Sequence, residues 1–348
     1  MPASVADMLL SEVTTLRLGG PARSVVEATT EDELIAAVRA ADEAAEPVLL
    51  VGGGSNLVVS DAGFEGTVVL VRTRGIDVSA DACSGAMVTV AAGESWDDFV
   101  AHAVAHDWEG VEALAGIPGS VGATPIQNVG AYGQEVADTI VSVRTWDRAE
   151  KRVRTLMFTD LGFGYRHSRF KDEPDRFVVL TVAFQLRFAG ALSAPVRYAE
   201  LARHLGVEVG ARARLAQVRE TVLALRRGKG MVLDPQDHDT WSAGSFFTNP
   251  ILTADEAAKL PSGAPRFEQA DGSVKTSAAW LIDHAGFEKG FGRGPVALSG
   301  KHVLALTNRG GATTADLLAL AREVRDGVER EFGIRLVNEP VLVGGDRL

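Results

Sequence analysis

The chain has 348 residues, 46% hydrophobic and 23% charged. That balance excludes disordered, collagen-like and coiled-coil classes, and the length exceeds the roughly 250 to 300 residues that one hydrophobic core serves. The formal net charge of −11 comes with no basic patch, which sets the global field against nucleic acid and anionic membranes, and the single cysteine, Cys83, excludes an internal disulfide framework.

Thr30 and Glu33 have the form of a capping box, and Leu34, Ile35, Val38 and Ala41 continue at helical spacing, so a helix is expected near 31–45. Val48 to Val51 reads as a short buried strand running directly into Gly52, Gly53 and Gly54. Strands are expected at 68–71 and 87–91, with a helix opened by Ser95 and Asp98 and running to about His106. Residues 140–147 and 177–188 return to strand patterning in one unit, and 209–229 reads as a helix with a domain boundary near 210–220. A last helix is marked by Thr313, Asp316, the stripe Leu317, Leu320, Val324, Val328 and Phe332, and the terminator Gly333.

No apolar run reaches the roughly 18 residues of a membrane span, and no basic region precedes an apolar one at the N-terminus, so the protein reads as cytoplasmic. The absence of CxxC pairs excludes thiolate-rich zinc sites, and redox chemistry then has to come from a bound cofactor. His102 and His106 stand four apart on a helix without a third ligand nearby, which fits a packed helix face and no metal. Cys83 reads as an ordinary, partly buried side chain.

Two glycine loops draw attention. Gly52 to Asn56 follows a strand and exposes main-chain N–H groups, which suits either a diphosphate or a plain turn, and it matches neither GxGxxG nor the P-loop. The second, residues 115–133, reads AGIPGSVGATPIQNVGAYG, with five glycines, two prolines and no charge. Two uncharged loops that face each other can enclose an extended cofactor in a main-chain cradle.

Ser245, in WSAGSFFTNP, has no GxSxG elbow, and Ser120 misses one because Pro118 occupies the first glycine position. His238 or His284, with Asp234 or Asp283, would be needed to complete a hydrolytic triad. Ser245 can alternatively serve as a general acid toward a developing carbanion. Arg166 and Glu339 sit in apolar or aromatic surroundings and are either buried ion-pair members or reactive-site groups. The guanidinium suits a carboxylate fork, and a glutamate of raised pKa suits a hydrogen bond to an enolate oxygen.

Taken together, LRLGGPAR at 16–23, VGGGSNLVVSD at 51–61, residues 115–135, FGYRHSRFK at 163–171, AGSFFTNP at 243–250, AAWLIDHAGF at 278–287 and NEPVLVG at 338–344 resemble the UDP-N-acetylenolpyruvoylglucosamine reductase family over nearly the whole chain, in its tyrosine-loop (type I) branch. The resemblance implies an α+β protein. A vanillyl-alcohol-oxidase-like FAD-binding unit would span 1–212, with subdomains 1–72 and 73–212, followed by a smaller α+β substrate-binding domain at 213–348. Non-covalent FAD would be held by Gly52, Gly53, Gly54, Ser55, Asn56, Gly116, Ser120, Gly122, Ala123, Asn128, Gly130 and Ala131. NADPH would reduce it, and a UDP-linked enolpyruvyl sugar would then be reduced through the same site, giving UDP-N-acetylmuramate for peptidoglycan precursor synthesis.

By motif position, the resemblance makes Ser245 the proton donor and Arg166 and Glu339 the stabilisers of the enolic carboxylate. Tyr198, Lys229, Asn249 and His302 become substrate contacts. KGMVLDPQDHDTW is longer than the family's usual spacer, which puts Lys229 on less secure ground than Ser245. A monomer or weak homo-oligomer is expected, with no nucleic-acid or membrane partner. The competing functions are another FAD oxidase or dehydrogenase of this fold, and a non-redox serine hydrolase or nucleotide-sugar binder.

Overall fold

In the computed structural model the described residues are 8–81, 85–345 and 347–348, so Cys83 lies outside them. They form two compact units, the first from 22–53 and 65–227, the second from 8–21, 54–64 and 228–348. The division expected from the resemblance lies at 212/213. The compact units break instead at 227/228, because helix Leu215–Gly228 packs Val218 and Val222 into the core of the first unit.

The first unit opens with strand Ala22–Ala28 and helix Glu31–Glu43, whose capping box is formed as expected: the Thr30 hydroxyl accepts from Glu33 N, and Glu33 answers to the Thr30 backbone. Strand Val48–Val51 runs parallel to Phe64–Val71 in a three-stranded sheet. The main sheet is antiparallel and centred on Phe177–Phe188, flanked by Ile140–Asp147 and Gly85–Ala91. Trp96 and Phe99, from helix Trp96–Ala105, pack with Phe184 of the central strand. These large side chains are buried to within a per cent of completion and anchor the core.

One expected element starts too early. Helix Leu215–Gly228 begins six residues later than the 209–229 reading. Residues 210–214 instead join an extended loop, with Ala213 O accepting from Ser193 N and Ala211 O from Val196 N. A separate short helix, Ala199–Leu205, precedes them.

Asp147, at the end of its strand, is fully buried. Arg176 and Arg154 reach it at 3.0 and 3.1 Å, and Glu150 N donates to it. Burial alone would raise this carboxyl, but the hydrogen bonds from Arg176, Glu150 N and Arg154 prevail and bring it down to about 2. A depressed carboxylate contributes stability above its unfolded value, about 3.9, and that contribution of about 3 kcal/mol disappears as pH falls through the folded value. Asp147→Asn is therefore expected to destabilise the fold by about 3 kcal/mol at neutral pH, leaving guanidinium groups uncompensated. Urea unfolding should show the gap to wild type closing in strong acid. A gap that persists there would contradict the assignment.

The second unit has short strands: Ile251–Leu252, Phe267–Glu268 and Val274–Lys275 in one sheet, Gly292–Arg293, Val296–Leu298 and Leu306–Asn308 in another. Helix Thr314–Phe332 covers its core with Leu317, Leu320, Val324 and Val328, all essentially buried, and ends at Gly333 in the left-handed region. Strand Val341–Val343 pairs in parallel with Leu57–Val59, which ties the C-terminal segment to the chain just after the first glycine loop.

Candidate active site

In the first unit the two glycine loops touch. Strand Val48–Val51 delivers Gly52 and Gly53 against Gly119 and Ser120. A Cβ on Gly53 would stand 2.6 Å from Gly119 Cα, and one on Gly52 would collide with Ser120 Oγ. Only glycine permits this approach of main chain to main chain. The loops are fixed from outside: Arg72 Nη1 donates to Gly52 O at 2.8 Å, Gly116 N donates to Asp97 at 2.7 Å, and Trp96 N donates to Gly119 O at 3.0 Å. Val121, Gly122 and Ala123 form a single 3-10 turn after Ser120, with Gly122 N held by Ala92 O. The contact of two uncharged loops fits a cofactor that offers phosphates and a flat ring to main chain.

The rest of the second loop is strapped to residues 164–171. Asn128 is buried, and its amide nitrogen donates to Glu135 and Gly164 O, while its amide oxygen accepts from Ala137 N. Its carboxamide is thus engaged inside the protein, where it sets the shape of the loop. Arg166 donates to Asn128 O at 3.3 Å and to Gly130 O at 2.6 Å, with its ring neighbour Tyr165 at 5.4 Å. Its own φ of 53° lies in the left-handed region, where an arginine persists only if its surroundings hold it. Lys171 supplies part of that hold by donating to Arg166 O at 3.0 Å. One edge of the guanidinium is therefore anchored on the glycine loop. Ala131 and Gly130 pair with Gln134 and Glu135 in a small hairpin, and Tyr132 meets the half-exposed Tyr198 edge to face at 5.5 Å.

The second unit brings Ser245 and Glu339 together. Phe246 and Phe247 are buried and meet edge to face at 5.2 Å, pinning the segment that carries Ser245. Glu339 N donates to Phe246 O at 2.8 Å, and Phe247 faces Asn338 across an antiparallel bridge. Asn56 joins them, since its side chain donates to Glu339 O at 3.4 Å and its own carbonyl accepts from Val341 N at 2.9 Å. Gly54 O accepts from Thr15 N, so the far half of the first glycine loop, Gly54 to Asn56, is fixed within this unit. Ser245 and Glu339 are both half-buried.

Of the expected substrate contacts, Lys229 and His302 also lie in the second unit. Asn249 accepts from Ala278 N at 3.0 Å and so helps cap helix Ala278–His284. His238 and His284 are not arranged as catalytic bases toward Ser245: His238 Nδ1 bonds Arg309 O and stacks on Trp241, and His284 stacks on Trp280. His102 and His106 pack ring against ring at 4.2 Å, His106 stacks on Trp108 and His102 meets it edge to face, and no group of three metal-ligating side chains occurs among the described residues.

Several supporting residues carried no sequence signal. Arg72, Asp97 and Lys171 act through side-chain reach across sequence separation. Arg226 lies buried on helix Leu215–Gly228, where desolvation pushes its guanidinium down to about 10 against the opposing pull of Tyr132 and Asp97. Helical periodicity marks that face as buried without singling out an arginine on it.

Comparison with known proteins follows the same lines. Residues 22–156 match the model of an FAD binding domain, and residues 234–343 match the C-terminal domain of UDP-N-acetylenolpyruvoylglucosamine reductase. The chain is 61% identical to the UDP-N-acetylenolpyruvoylglucosamine reductase of Cutibacterium acnes, over 97% of this chain and 90% of that one. It is 60% identical to that of Streptomyces coelicolor, again over 97% and 90%. The crystal structure of UDP-N-acetylenolpyruvylglucosamine reductase from Thermus caldophilus superposes with a TM-score of 0.64 at 25% identity, covering 99% of both chains.

Proposed function

This chain belongs to the UDP-N-acetylenolpyruvoylglucosamine reductase family, and on that premise we propose how its own residues serve the reaction. The chain is an FAD-containing oxidoreductase that forms UDP-N-acetylmuramate from the UDP-linked enolpyruvyl sugar, with NADPH as reductant. When bound, FAD accepts hydride from NADPH and supplies it to the methylene carbon of the enolpyruvyl group. The residues do the rest. Gly52, Gly53 and Gly119 offer the main-chain cradle, with the Ser120 hydroxyl packed against Gly52.

Hydride arriving at the methylene carbon leaves negative charge on the α-carbon and its carboxylate. Ser245 Oγ gives its proton to that α-carbon, so one hydride and one proton together convert the vinyl ether to the lactyl ether. Arg166 holds the carboxylate by charge, and Glu339, as the acid, donates a hydrogen bond to the developing enolic oxygen. The supporting observation is the 2.8 Å bond from Glu339 N to Phe246 O, which brings the segments carrying Ser245 and Glu339 side by side next to two buried phenylalanines. The missing serine elbow and the engagement of His238 and His284 elsewhere leave a hydrolytic reading without its base. No helix among the described residues is long and apolar enough to cross a membrane. The reading places the reaction in the cytoplasm, where NADPH and nucleotide sugars are available, on a monomer or weak homo-oligomer.

Arg166→Lys tests the carboxylate role. A point charge cannot reproduce the guanidinium fork, so NADPH consumption driven by the UDP-sugar should drop about 100-fold in kcat while NADPH still reduces the protein at the wild-type rate. Turnover equal to wild type would remove Arg166 from the reacting centre.

A further inference from the structure

The long spacer between Lys229 and Ser245 folds into a built element. Thr240 Oγ1 sits 2.7 Å from Asp237 O and 2.9 Å from Asp234 O, its one proton shared between them, and accepts from Asp234 N at 2.9 Å, which closes a turn around His238–Thr240. Asp239, carried by that turn, is almost entirely buried, and three groups converge on its carboxylate: Ser299 Oγ at 2.8 Å, Gly300 N at 3.0 Å and Arg309 Nη2 at 2.7 Å. Ser299 Oγ in turn accepts from Lys301 N at 3.0 Å and His302 N at 3.2 Å. One donation and two acceptances use the full capacity of that hydroxyl, so its orientation is locked. Lys301 Nζ is tied to Asp237 at 2.6 Å, fixing the same turn from its other side.

The chain just after Lys229 rests on this assembly. A Cβ on Gly230 would stand 3.2 Å from Asp239 O, 3.4 Å from Lys301 Cδ and 3.5 Å from Ser299 Oγ. Lys229 and His302, singled out separately as substrate contacts, therefore stand on two segments that meet at Asp239.

We infer that Asp239 is a positioning residue for the reductase reaction: it clamps the Ser299–His302 turn against Lys229–Gly230 and so fixes the Lys229 and His302 side chains that meet the nucleotide sugar. This rests on the reading of Lys229 and His302 as substrate contacts. A clamp of this kind acts on binding of the UDP-sugar and leaves the reduction by NADPH untouched. A buried ion-pair cluster that served stability alone would lower the melting temperature with no such selectivity.

The test uses the FAD-loaded protein with Asp239→Asn and, as the milder change, Ser299→Ala. Asp239→Asn keeps the volume and removes the charge facing Arg309; Ser299→Ala removes the shared hydroxyl. Each variant should raise KM for the UDP-enolpyruvyl sugar, by about tenfold for Asp239→Asn, with kcat and the rate of reduction by NADPH as in wild type. The double variant should be little worse than Asp239→Asn alone, because both act through one network. If Asp239→Asn does not fold, Ser299→Ala carries the test. Wild-type KM in Ser299→Ala, or a lowered melting temperature with unchanged KM in either variant, overturns the clamp. Wild-type protein that the UDP-sugar fails to reoxidise would instead sink the underlying functional reading, and the two failures are thus told apart.

Discussion

Ser245→Ala is expected to separate the two halves of the catalytic cycle. NADPH should bleach the bound flavin as fast as in wild type, since that step needs no proton from the serine. Reoxidation by the UDP-enolpyruvyl sugar should slow by about 10⁴-fold, the upper range for loss of a positioned general acid. The local structure makes the variant a clean one. Phe246 and Phe247 are buried and Phe246 N is held by Leu304 O at 2.7 Å, so trimming the half-buried neighbour leaves the segment in place. Stopped-flow absorbance of each half-reaction measures the split, and equal slowing of both would take the proton-donor role away from Ser245.

Gly53→Ala carries the second large effect, on the cofactor itself. Its Cβ would sit 2.6 Å from Gly119 Cα, and the obstacle is main chain, which has no rotamer by which to give way. The loops must then part. Forced separation of packed segments costs up to about 3 kcal/mol, or roughly 100-fold in FAD affinity when the displaced surface is the one that binds. The variant should purify with little or no yellow colour and take up FAD only at high concentration. Gly263→Ala is the matched control, because its nearest neighbour beyond the local chain is the Trp280 ring at 4.0 Å. FAD content equal to wild type in Gly53→Ala would show that the close approach of the loops does not matter for the cofactor.

The long elements were legible because each carries its own periodicity and caps. Strands Ile140–Asp147 and Phe177–Phe188 have the bounds read from their patterning, and the capping boxes at Thr30 and Thr313 are both formed. The start of helix Leu215–Gly228 was missed because residues 210–214 bond to 191–196, and alanine-rich composition gives no sign of such pairing. The second unit was legible mainly through its motifs. Its strands of two or three residues are too short for alternation to register, and the membership of residues 8–21 and 54–64 depends on distant partners, as in Thr314 Oγ1 donating to Val59 O at 2.6 Å.

For the candidate site, the residue types that carry chemistry stood out against their neighbours, whereas the groups that orient them did not. Ser245 among small residues and Arg166 among aromatics were visible in the chain. Arg72 beneath Gly52 and Asp239 beneath Ser299 became visible only when folding brought them there. The hydrogen bonds of Asn128 also show how a residue in a glycine-rich motif can serve the loop's shape with its side chain engaged inside the protein.

The most direct measurement follows the oxidised-flavin absorbance of the purified wild-type protein under anaerobic conditions, first with NADPH and then with the UDP-enolpyruvyl sugar. One equivalent of dissociable FAD, bleached by the first addition and recoloured by the second with UDP-N-acetylmuramate as product, is the expected result. Protein that stays colourless after FAD is supplied, or whose bleached flavin is not recoloured by the sugar, would contradict it.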